Sequence, residues 1–80
     1  MNGELLARLR ETAGIKAGDL AFRRGMQPSR LSTIENGRLE VSQEELQELA
    51  DTIEIMRGER EREHTAARKA FRRALSSVQA

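Results

Sequence analysis

The chain has no cysteine, one proline, one histidine and two aromatic residues in its 80 positions. Without cysteine, neither a disulfide nor a thiolate metal site can form. The single histidine, His64, leaves too few ligands for a histidine-based zinc site. No apolar run approaches the roughly 20 residues that cross a bilayer. The first 15 residues are already charged and periodic, which is unlike a secretory leader. A cytoplasmic location with no membrane contact is therefore expected. Phe22 and Phe71 are too few to build an aromatic platform for single strands or RNA. No nucleophile–base pair, metal-ligand cluster or glycine-rich phosphate loop is present, so neither an enzyme nor a cofactor is expected.

What is present is charge and helical periodicity. The formal net charge is only +1, but it is unevenly spread. Residues 1–40 carry seven Lys or Arg against five Asp or Glu, residues 41–58 one against five, and residues 59–80 six against three. An acidic middle thus lies between two basic flanks. The division fits a face for a polyanion, and it fits solvated helix surfaces equally well. A chain this short has little core to spare, so self-association would help it.

No stretch alternates with the period of a strand. The apolar spacing predicts five helices. The first spans about residues 3–13, with Leu5, Leu6, Leu9 and Ala13 at helical spacing, Gly14 as its stop and Ile15 as a buried plug behind it. The second spans about residues 17–24. It turns Leu20 and Ala21 inward and ends at Gly25, which tolerates a left-handed conformation. The third spans about residues 28–36. Pro28 suits its first position, Leu31 and Ile34 point inward, and Ser29, Arg30, Ser32 and Thr33 point outward. The fourth spans about residues 43–52. Ser42 acts as its cap, Glu45 reaches back to complete a capping box, and Leu46, Leu49, Ala50 and Ile53 form its stripe. After Met56-Arg57-Gly58, a fifth helix is expected over about residues 59–77, with Ala67, Ala70, Phe71, Ala74, Leu75 and Val78 on one face. The expected division is a compact unit over residues 1–56 and a C-terminal helix over residues 57–80.

The segment from Asp19 to Gly37 reads as a short helix, a glycine turn and a second helix that stops at Asn36-Gly37. Helices joined this way cross steeply, and the second can enter the DNA major groove. Together with Leu9-Arg10, Gly14-Ile15, Asp19-Leu20-Ala21, Gly25-Met26, Ser29, Leu31, Ile34-Glu35-Asn36-Gly37-Arg38 and the stripe Leu46, Leu49, Ala50 and Ile53, it resembles the Xre family of helix-turn-helix repressors. That family includes the lambdoid phage repressors and Cro proteins. The resemblance covers residues 4 to about 54. It departs from the common pattern at Lys16, Ala17, Arg24 and Val41.

The resemblance implies an all-α, lambda-repressor-like, five-helix domain that binds double-stranded DNA, usually as a homodimer on a near-palindromic operator. Such a dimer spaces its recognition helices about 34 Å apart, one turn of DNA. Base edges would be read from Pro28, Ser29 and Thr33. Arg30 is the strongest reader available, since an arginine can bind guanine O6 and N7 together; a phosphate or solvent contact is its alternative. Gln27, Arg23, Arg24, Asn36 and Arg38 would meet phosphates and set register without reading sequence. Arg10 and Glu35 would form a partly buried ion pair that fixes the recognition helix. For the C-terminal helix two roles stand. Ala67, Phe71, Ala74, Leu75 and Val78 pack against a second subunit, or the helix folds back on its own core. A small repressor is the first functional reading. The second is an antitoxin that binds DNA and holds a partner protein through residues 59–80.

Overall fold

A computed structural model of the chain describes residues 1–79, with side chains described through residue 77. Four helices and no strand occur among the described residues: α1 (Gly3–Thr12), α2 (Ala17–Arg23), α3 (Pro28–Glu35) and α4 (Gln43–Gln79). Two of the four starts are capped by a side chain. The Asn2 side chain accepts a hydrogen bond from the Leu5 N–H at 2.9 Å, capping α1. Ser42 does the same for the Glu45 N–H at 3.1 Å, capping α4. The α2–α3 turn is closed by Gly25 at φ 64°, where a β-carbon would be strained.

The core is one cluster. Leu6 of α1, Leu20 and Ala21 of α2, Leu31 and Ile34 of α3, and Leu46, Leu49, Ala50 and Ile53 of α4 are all buried, with Ile15 filling the gap between α1 and α2. Met26, Val41 and Met56 close its edges. Leu5 stays half-exposed, so the inward line of α1 is Leu6, Leu9 and Ala13. Removing one of the large buried side chains would cost about 2–5 kcal/mol, which a core this small can hardly spare.

The expected break at Met56-Arg57-Gly58 is absent, and this corrects the five-helix reading. α4 is one helix of 37 residues. A glycine inside a helix costs only about 1 kcal/mol relative to alanine. Nothing else at that point favours a stop: neither a proline nor an Asn, Asp, Ser or Thr follows Gly58 before Thr65. The turn is also braced on both sides, because Arg57 donates to Glu54 and to Glu61, each at 3.0 Å. The helix therefore runs straight out of the globular part. Every residue from Arg60 to Ser77 is exposed. The longest dimension is 59 Å against 20 and 17 Å across, and the radius of gyration is 17.0 Å. A compact chain of this length would have a radius of about 12 Å. The alternative in which the distal helix folds back on the core is thereby overturned.

Candidate nucleic-acid interface

The turn between α2 and α3 sets α3 across the surface, with Leu31, Ile34 and Glu35 buried beneath it. Its opposite edge carries Ser29, Ser32 and Asn36, all exposed, with Thr33 half-buried beside them. No charge lies on that edge. The Thr33 hydroxyl donates to the Ser29 carbonyl at 2.7 Å, which leaves its oxygen able to accept. The Asn36 amide donates to the Ser32 hydroxyl at 3.4 Å. Pro28 and Gln27 stand at the start of the same edge, and the Gln27 side chain makes no capping bond.

What holds this edge in place is a two-pronged ion pair. Arg10 Nε donates to Glu35 Oε2 at 2.8 Å, and Arg10 Nη2 donates to Glu35 Oε1 at 3.0 Å. Both side chains are nearly buried, at 12% and 8% exposed. Arg10 Nη1 also donates to the Ile15 carbonyl at 2.8 Å, so one guanidinium ties α1, the α1–α2 turn and α3 together. The hydrogen bond to Glu35 holds the Arg10 pKa above its ordinary value. A second brace had no signal in the sequence pattern. Gly3 lies so close to α3 that a β-carbon there would overlap the Ile34 carbonyl oxygen.

Three arginines expected to meet DNA pair with carboxylates of α4 in the free chain. Arg30 donates to both carboxylate oxygens of Glu45, at 2.5 and 3.2 Å. Arg24 pairs with Glu48 at 3.0 Å. Arg23 pairs with both oxygens of Glu59, at 2.6 and 3.0 Å. These hydrogen bonds raise the pKa of Arg30 and Arg23 and hold the carboxyls of Glu45 and Glu59 below their ordinary value. The pairs are half-exposed, so each contributes little stability and can be exchanged for another anion. Glu45 thus serves Arg30 and does not complete the capping box, which corrects that half of the reading. Arg38, just past α3, makes no ion pair among the described residues.

Sequence reasoning missed the three carboxylate partners and the role of Ser32. The acidic middle segment was the only hint of the former. On the distal helix, Ala67, Phe71, Ala74 and Leu75 are exposed, with Phe71 at 68%; Val78 falls outside the residues whose side chains are described. Among the described residues no acidic, histidine or cysteine cluster can hold a metal, and no helix is long and apolar enough to cross a membrane.

A four-helix core, a helix pair joined through a glycine turn and a second helix with a bare polar edge define a helix-turn-helix DNA-binding fold. The family model for the helix-turn-helix domain matches residues 3–65, and the chain belongs to that family, one of the Xre and Cro-like group. No curated protein and no solved structure matches it.

Proposed function

We propose that the protein is a sequence-specific regulator of transcription, a small cytoplasmic repressor without catalysis of its own, that binds double-stranded DNA as a homodimer on a near-palindromic operator. The observation that carries this is the edge of α3: polar, uncharged, uncovered, and pinned from behind by Arg10–Glu35. A rigid edge of short hydrogen-bonding side chains suits the major groove, where each base pair offers its own pattern of donors and acceptors. Ser29 and Thr33 would read base edges, and Pro28 would touch a thymine methyl. Arg30 flanks them and is available to guanine once Glu45 releases it. Gln27, Arg23, Arg24, Asn36 and Arg38 would meet the backbone on either side. Occupying the operator would exclude polymerase.

In this reading residues 1–56 bind DNA and residues 57–80 serve association. The antitoxin reading assigns the same uncovered helix to a foreign protein, and the mass of the pure protein in solution separates the two. DNA reading is tested by duplex titration at stated salt. Arg30→Ala relaxes preference at one base pair. Arg38→Ala weakens all duplexes alike and flattens the salt dependence by about one unit of slope. Identical behaviour of the two variants across sequences would refute the division into reading and positioning residues.

A further inference from the structure

The distal half of α4 repeats the pattern of its proximal half. At about 100° per residue, Leu46, Leu49, Ala50, Ile53 and Met56 occupy one side of the helix and carry the core. His64, Ala67, Phe71, Ala74 and Leu75 fall within about 60° of Ile53 on that same side. The apolar stripe is therefore continuous in phase. Its proximal part is covered by α1, α2 and α3, whereas its distal part is bare.

We infer that a second copy of the chain covers the distal stripe, with the two arms antiparallel and crossing near Ala67–Phe71. This rests on the homodimer reading above and adds its geometry. Three observations select the occupant and its direction. The first is charge: residues 64–77 contain Arg68, Lys69, Arg72 and Arg73 and no acidic residue. Parallel arms in register would set four positive charges against four. Antiparallel arms crossing at Lys69 bring Arg72 and Arg73 level with the second copy's residues 66 and 65, within one turn of its Glu63, and leave only Arg68 and Lys69 at the crossing. The second is space: the core of each copy sits on the stripe side of its own α4, so two parallel copies would claim the same volume. In the antiparallel arrangement each core lies beyond the end of the other arm. The third is composition. Ala67 and Ala74 beside Phe71 on the stripe allow two helices to approach closely with one large side chain interlocking at the crossing.

This arrangement also orients the DNA-facing edges. α2 and α3 are tied to one flank of the stripe through Glu45, Glu48 and Glu59. The end of α1, with Leu9, Thr12 and Ala13, lies on the other flank beside Glu54, Arg57 and Glu61. A twofold axis normal to the plane of two antiparallel helices exchanges them and leaves each flank facing the same way. Both α3 edges therefore face one side of the dimer. α3 meets α4 at Glu45, and 24 residues separate Glu45 from the middle of the crossing at Lys69. At 1.5 Å per residue the two α3 helices are then about 72 Å apart, two turns of B-DNA rather than one.

The test places one spin label on the whole 80-residue chain, which contains no cysteine. Asp51 is exposed and lies opposite the stripe, so Asp51→Cys carries the label without disturbing either face. Antiparallel arms give a label–label distance of about 55 Å or more, and parallel arms about 30 Å or less. Phe71→Ser, at an exposed position, converts the dimer to a single-chain mass in sedimentation while its helical signal persists. The inference is overturned by a short distance, by a single-chain mass for the unaltered protein, or by a dimer that survives Phe71→Ser. All distances are read without DNA. A long distance with no binding to any duplex would therefore reject the DNA reading and support this geometry.

Discussion

At the scale of single residues, Arg10 and Glu35 hold α3 against α1. Their two hydrogen bonds are shielded from water, and Arg10 carries a third bond to the Ile15 carbonyl. Glu35→Ala leaves a guanidinium buried without its partner, and such losses cost about 3–5 kcal/mol. In urea titration the variant is expected to lose at least about 3 kcal/mol of stability, and an unchanged midpoint would remove the pair from the account. Arg30 behaves differently because its partner is exposed. Glu45→Gln removes the counter-ion that competes with DNA, so anisotropy titration should show tighter duplex binding and a steeper salt dependence. Equal affinity in the two proteins would mean that Arg30 never leaves Glu45 or never reaches the duplex. The Arg10–Glu35 pairing was legible as part of a family resemblance. The Arg30–Glu45 pairing was not, because 15 residues and a change of helix separate the partners and only the packing angle of α4 brings them together.

At the scale of elements, α1, α2 and α3 were readable to within a residue or so, since each has a short apolar period and a glycine stop. α4 was not. A local reading counts Gly58 as punctuation, whereas the folded chain weighs about 1 kcal/mol of glycine penalty against a helix already nucleated by fifteen residues packed on a core. Gly58→Ala is a direct check. A β-carbon at that position meets only the tip of the Arg62 side chain, at 3.6 Å. The substitution should raise stability by about 0.5–1 kcal/mol in thermal melts and leave the helical signal at least as strong. A loss of stability would mean that a left-handed stop exists at Gly58 after all. Gly3 gives the opposite case. Its sequence context marks only a helix start, and its necessity comes from the close passage of α3, which no local pattern records.

At the scale of the whole molecule, the chain is a small globular head on a long arm. The head resolves the polar edge of α3, and the arm supplies an uncovered apolar stripe in phase with the core. In the proposed reading these features divide the work, with recognition at one end and association at the other. The charge pattern fits the division: the acidic segment is the proximal half of α4, where it neutralises arginines of α2 and α3, and the basic excess lies on the arm. In the proposed reading the outward edge of α3 lies in the major groove and reads bases. Selection of bound duplexes from a random pool, at fixed salt and with the whole 80-residue chain, is the decisive check. The expected result is a short motif present twice with opposite orientation, enriched by the unaltered protein and lost or changed for Thr33→Ala. Retention of random duplexes without any enriched motif, or an identical motif for both proteins, would contradict it.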